Sequence, residues 1–178
     1  VGCKLNYSES STFAREFSEG GYAEVDSGEV ADIYVINSCA VTENAVKTSR
    51  NLIRWAARLN SEAVIVVTGC WAQLEPEKIL KLDGVNLILG SDEKINLFKR
   101  VEQYRAELAA EAAKKERDEN FKPEGEIFSC SIEDLETLFP AYSSDERTRS
   151  FLKIQDGCDY NCSYCTIPLA RGRSRNFP

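Results

Sequence analysis

The chain has no histidine, no methionine and only five prolines in 178 residues. Without histidine there is no imidazole base for Ser/His or Cys/His nucleophilic catalysis. Every soft-metal site must then rest on cysteine. Without an initiator methionine, the sequence is expected to begin inside a longer protein, and the end at Asn176-Phe177-Pro178 looks equally arbitrary. No apolar run approaches the ~20 residues of a membrane span. Val1-Gly2-Cys3 has neither a basic n-region nor an apolar h-region. No membrane partner and a cytoplasmic location are therefore expected. Seven cysteines are an odd number, which with no secretory signal argues against a disulfide framework. They are also one too few for two closed four-cysteine zinc sites. The net charge of −7 does not advertise a nucleic-acid binder. It is unevenly spread: residues 146–178 carry six Lys/Arg and three Asp/Glu, a net of +3, and the remainder carries −10. A basic end on an acidic body suits an anionic partner that approaches that end.

Apolar patterning alternates between strand and helix. Val1 to Leu5 reads as the tail of a strand. Ser8 to Gly20 reads as a helix, capped by Ser8 or Ser10, with Phe13 and Phe17 on one face. Ala31–Asn37 is an apolar run fit for a buried strand. Thr42 can cap a helix to about Leu59, with Val46, Ser49, Ile53 and Ala57 facing inward. Ala63–Val67 is a β-branched strand. Glu75-Pro76 opens a short helix that Gly84 stops. After the strand Val85–Leu89, Asp92 is expected to cap a long helix with Ile95, Phe98, Val101, Tyr104 and Leu108 on one face. The charged run 109–119 reads as a solvated helix end. Residues 119–146 read as a linker with at most one short strand near Ile127-Phe128. Thr148 to Gln155 reads as a strand opening a new domain. The expected division is an α/β domain over 1–108, a helix end and linker over 109–146, and the start of a second domain over 147–178. Strand–helix alternation implies an α/β fold with a parallel sheet, whose strand ends share one rim.

The cysteines fall into two groups. Cys158, Cys162 and Cys165 are spaced C-x3-C-x2-C, so one loop could wrap a soft metal centre. Three thiolates, not four, would leave one iron of a four-iron cluster without a protein ligand. Cys3, Cys39 and Cys70 match no local metal motif. Each, however, follows an expected strand, and open parallel sheets place ligands at that rim. The three could converge there as a second soft-metal site. Cys130 lies in the linker and is given no ligand role. From the residues alone, an iron–sulfur electron-transfer or carrier domain and a structural zinc domain stay open as alternatives.

Four motifs carry a resemblance. They are Gly2-Cys3-Lys4-Leu5-Asn6 with Glu9, Asn37-Ser38-Cys39-Ala40-Val41-Thr42, and Thr68-Gly69-Cys70-Trp71-Ala72-Gln73. The fourth runs from Lys153-Ile154-Gln155-Asp156-Gly157-Cys158 to Cys165, then Ile167-Pro168 and Ala170 to Arg175. In this order they resemble the radical S-adenosylmethionine methylthiotransferases, most closely the branch acting on threonylcarbamoyladenosine in tRNA. The resemblance implies a flavodoxin-like N-terminal domain, then the first strand and cluster loop of a truncated (β/α) barrel. It implies one 4Fe-4S cluster on Cys3, Cys39 and Cys70 and a second on Cys158, Cys162 and Cys165. The second would bind S-adenosylmethionine, with Tyr164 beside its adenine. It implies insertion of a methylthio group into a modified adenosine next to the anticodon, an electron donor, and a sulfur source. A branch acting on a ribosomal protein is the alternative. Arg171, Arg173 and Arg175 alternate after the cluster loop, so in an extended segment they would face one side and suit phosphates. With most of the barrel absent, the chain alone is expected to be inactive.

Overall fold

Side by side at the centre of the molecule lie the β-branched runs. The computed structural model describes residues 1–26, 28–114, 125–136, 138–143 and 149–176. Strands β1 (Ile33–Ser38), β2 (Val64–Gly69), β3 (Val85–Leu89) and β4 (Glu126–Phe128) form one sheet in that order. All three pairings are parallel, so the fold is the α/β, flavodoxin-like class expected. Every residue of β2 is buried. Helices on both faces explain its unbroken apolar run, since alternate side chains must each find cover. On one face, Ile53 and Ala56 of α2 (Glu43–Leu59), Trp71 of α3 (Cys70–Leu74) and Ile79 of α4 (Pro76–Leu80) pack on Ile65, Val67 and Ile88. On the other, Phe13 of α1 (Lys4–Glu19) and Leu97, Val101 and Tyr104 of α5 (Leu97–Lys114) pack on Val64, Val66, Leu87 and Leu89. Thr42 caps α2 as expected, accepting from Ala45 N at 3.1 Å.

Three expectations change. Val1 to Leu5 is not a strand, because α1 begins at Lys4 with Cys3 at its N-cap. The backbone nitrogen of Val1 donates to Asn37 O at 3.2 Å, and Asn6 Nδ2 donates to Ser38 O at 3.0 Å. These bonds pin the first turn across the end of β1. Ser8 is therefore inside the helix and donates to Lys4 O instead of capping. Asp92 does not cap with its side chain: a 3-10 turn over Glu93–Asn96 precedes α5, leaving Ile95 57% exposed while Leu97 takes the buried place.

The described residues of 125–136 and 138–143 lie against the sheet and α1. Strand β4 pairs with β3, and the ring of Phe139 stacks on that of Phe13 with centroids 5.2 Å apart. Beyond them, β5 (Tyr142–Ser143) pairs with β6 (Phe151–Leu152), and β7 (Gln155–Asp156) with β8 (Arg175–Asn176), both antiparallel. Helix α6 (Ile167–Arg171) lies between β7 and β8 in sequence. Thr148, the end of the charged run after Lys114 and parts of the expected linker fall outside the described residues. No helix among the described residues is long and apolar enough to cross a membrane.

Candidate functional site

Ser38 and Gly69 are the last registered pair of β1 and β2. Cys39 and Cys70 are the next residues of these neighbouring strands, and both are buried. Cys3 arrives from the other side, exposed at the N-cap of α1. A Cβ on Gly2 would stand 2.8 Å from Cys39 Cβ, so the residue beside Cys3 touches the second cysteine of the group. The three cysteines thus share the C-terminal rim of the sheet, Cys3 reaching it through a helix start.

Beneath this rim lies a buried charge network: Glu9, Lys153, Asp156 and Arg171 stand in the sequence motifs, but the motifs do not show that they pair. Asn6, Glu9 and Phe13 fall on one face of α1, and all three are buried. Glu9 accepts from Lys94 at 2.8 Å and from Lys153 at 2.7 Å, and its Oε2 also accepts from Asn37 Nδ2 at 3.2 Å. Lys153 reaches on to Asp156 at 2.6 Å, and Arg171 Nη1 meets the other Asp156 oxygen at 3.0 Å. Desolvation alone would raise the Glu9 carboxyl, but Lys94, Lys153 and Arg171 outweigh it and hold its pKa at about 2. Asp156 is likewise driven below the usual carboxylate range, burial being overcome by Lys153 and Arg171. Among the described residues, the ion pairs set Lys94, Lys153 and Arg171, with Arg175 at 4.0 Å from Asp156, against the two carboxylates Glu9 and Asp156, so the group carries a surplus of positive charge in a dry place. Such a surplus is costly unless an anion completes it.

The surplus points at the thiols. Arg171 Nε donates to Cys70 Sγ at 3.2 Å, and its Nη2 donates to Asn6 Oδ1 at 3.2 Å. The same Asn6 oxygen accepts from Cys3 Sγ at 3.1 Å. Burial pushes the Cys70 thiol up, and Arg171 and Lys94 pull it back only in part. A guanidinium and an amide therefore bridge Cys3 and Cys70. Among the described residues, no three Cys, Asp or Glu side chains gather closely enough to hold a metal ion. The donor set nevertheless fits a soft metal: three thiols at one rim, with buried cations to balance thiolates. Thr68, two residues before Cys70, is the one described residue whose buried side-chain polar atom has no partner.

The second cysteine group lies on the loop between β7 and α6. Cys162 is exposed, and Cys158 and Cys165 are half-buried. Cys165 N donates to Cys162 O at 3.1 Å, closing a turn, and Cys158 N donates to Gly172 O at 3.1 Å. Tyr164 is 90% exposed. The three arginines do not line one side. Arg171 ends α6 and is turned inward, because a helix ending over the sheet rim places it on Asp156 and Cys70. Arg173 is exposed. Arg175 folds back, its Nη1 donating to Arg171 O at 2.7 Å and Arg173 O at 2.9 Å. Cys130 stands apart, its N–H on Asp92 and its carbonyl on Gln73. Glu9, Lys94, Lys153 and Asp156 are site residues that motif reading gives no role. The local signal for Glu9 is its place with Asn6 on the stripe that also carries Phe13.

Residues 1–90 match the model of "Uncharacterized protein family UPF0004". The chain is 37% identical over 177 residues to the threonylcarbamoyladenosine tRNA methylthiotransferase MtaB of Bacillus subtilis, covering 99% of this chain and 36% of that protein. It is 36% identical to the protein of the same name from Aquifex aeolicus, covering 99% of this chain and 40% of that protein. It is 31% identical over 181 residues to the tRNA-2-methylthio-N(6)-dimethylallyladenosine synthase of Chloroherpeton thalassium, covering 99% and 37%. The chain thus spans less than half the length of each of these relatives.

Proposed function

Because this chain belongs to the UPF0004 family, the N-terminal domain of the methylthiotransferases, we propose that it is the leading part of a tRNA-modifying methylthiotransferase. The substrate in this reading is a modified adenosine beside the anticodon, of the threonylcarbamoyl type carried in the names of its relatives. The enzyme works in the cytoplasm with an electron donor and a sulfur source. The observation that carries the reading is the rim itself: three cysteines above a buried excess of positive charge.

Cys3, Cys39 and Cys70 would hold one 4Fe-4S cluster, and Cys158, Cys162 and Cys165 a second. When bound, such clusters supply one-electron reduction of S-adenosylmethionine and a place for the sulfur to be inserted. The chain's own residues do the rest. Three thiolates leave one iron position open in each group. Lys94, Lys153 and Arg171 stabilise negative charge at the first group, which burial would otherwise penalise. Tyr164 presents an uncovered aromatic face for the adenine of S-adenosylmethionine.

Anaerobic loading with iron and sulfide tests this. The chain should take up about eight irons, and Cys39→Ala and Cys162→Ala should each lose about four while keeping the other cluster's spectrum. In the full-length enzyme, Tyr164→Ala should weaken S-adenosylmethionine binding with the iron content intact. Uptake of stoichiometric zinc, or of a single cluster, would point to the structural or carrier classes instead.

Of Arg171, Arg173 and Arg175, Arg173 is the exposed one, placed to meet RNA phosphate. Arg173→Ala in the full-length enzyme should lower tRNA affinity and reduce the salt slope of binding by roughly 0.7–0.9. Titrations at several salt concentrations measure it. An unchanged slope would make Arg173 an ordinary surface charge.

A further inference from the structure

Arg171 is spent on contacts that no single structural role requires. Its three nitrogens serve three different elements: Nε meets Cys70 of α3, Nη1 meets Asp156 of β7, and Nη2 meets Asn6 of α1. The planar guanidinium fork allows one buried cation to reach all three. Asp156 is the nearest carboxylate to it among the described residues, and Lys153 shares that carboxylate at 2.6 Å. Glu9, at 4.0 Å from Nη1, is already held by two lysines. Arg171 thus shares both carboxylates with lysines, and it is buried with its Nε on a thiol. Its neighbour Gly172 accepts from the amide of Cys158, so the same short segment touches the first cysteine of the other group.

We propose that Arg171 is a positioning residue that joins the two cysteine groups: it supplies the buried positive charge that a metal–thiolate group on Cys3, Cys39 and Cys70 requires, and it docks the Cys158–Cys165 loop beside that group. This rests on the reading of those three cysteines as ligands of one cluster. The chemistry sets the direction. Each added electron makes a thiolate-bound cluster more anionic, so a nearby fixed cation stabilises the reduced form more than the oxidised form. Removing the cation should make the cluster harder to reduce.

The experiment uses the chain with Cys158, Cys162 and Cys165 replaced by Ala, so that only the first group can load. This parent is compared with Arg171→Gln and Arg171→Lys in the same background. Iron per chain is counted, and the midpoint potential is followed by electron paramagnetic resonance during redox titration. The expected result is about four irons in each, a potential displaced to more negative values in Arg171→Gln, and a potential near the parent's in Arg171→Lys. A parent-like potential in Arg171→Gln with iron intact overturns the proposal. If Arg171→Gln does not fold or load, Arg171→Lys decides: loading rescued by the retained charge supports the proposal, and no rescue overturns it. A parent that takes up no iron overturns the reading of the three cysteines instead, a result distinct from an unmoved potential.

Discussion

Glu9→Gln should lower the unfolding free energy by about 3–5 kcal/mol near neutral pH, because it leaves buried cations unpaired. Glu9 is fully buried and joins α1 to Lys94 and to Lys153, ion pairs that cross the two ends of the chain. Glutamine keeps the shape and removes the charge, so Lys94 and Lys153 lose their shared counter-ion while Arg171 is left to lean on Asp156. Urea titration of wild type and variant measures the loss, and a difference below about 1 kcal/mol would refute the role given to the network. The pH dependence supplies an independent check. The carboxyl sits at about 2 in the folded chain against an ordinary value of 4.5. A depressed carboxyl stabilises the fold above the ordinary value, and that contribution fades as pH falls from 4.5 towards 2. The shift corresponds to a contribution on the order of 3 kcal/mol, in line with the figure above. The gap between wild type and Glu9→Gln should therefore close across that acid window.

The second large effect is expected from Gly69→Ala, a loss of about 3 kcal/mol or more together with poor metal loading at the first cysteine group. Gly69 has φ +95, and a Cβ there would lie 2.2 Å from Ser38 O and 2.6 Å from Asn37 Oδ1. Neither neighbour can retreat. Ser38 is paired with Gly69 in the sheet, and Asn37 is tied by its side chain to Asn6 O and Glu9. The methyl would prise β1 from β2 where they deliver Cys39 and Cys70. Gly21→Ala is the control: its φ is +89 but nothing lies within 4 Å of the added methyl. It should cost about 1 kcal/mol, the backbone strain alone. Thermal melts and iron uptake of the two variants separate strain from collision. Equal losses in both would show that the close approach at Gly69 is unimportant.

Legibility in the sequence follows the range of the interaction. Strands β1, β2 and β3 are visible because a strand covered on both faces must be apolar throughout, as Val64 to Val67 are. Helix α2 is visible to the residue because Thr42 caps it through a bond to an amide three positions on. The first turn of α1 is not, since Cys3 makes no side-chain cap and the turn is held by Asn37 and Ser38, more than thirty residues away. Strand β4 is three residues long and owes its place to β3. Strand topology places Cys39 and Cys70 side by side, whereas Cys3 reaches them through the start of α1, where a strand was expected. The charges beneath this rim do not follow from topology, because no short-range period links Glu9 to Lys153 or Cys70 to Arg171. The arginine alternation misleads for a similar reason: it assumes an extended segment, and Arg171 closes a helix.

The wide spacing of the charge network has a consequence for how the chain is born. Glu9 and Lys94 leave the ribosome well before Lys153, which follows Lys94 by about sixty residues. At roughly 5–20 residues per second, that stretch takes on the order of 3–12 s to translate. Throughout this delay Cys3, Cys39 and Cys70 already exist, but Arg171, which bridges Asn6 and Cys70 in the finished fold, does not. The nascent chain thus passes through a stage in which its first cysteine group is complete and uncapped, and the guanidinium arrives last as a latch.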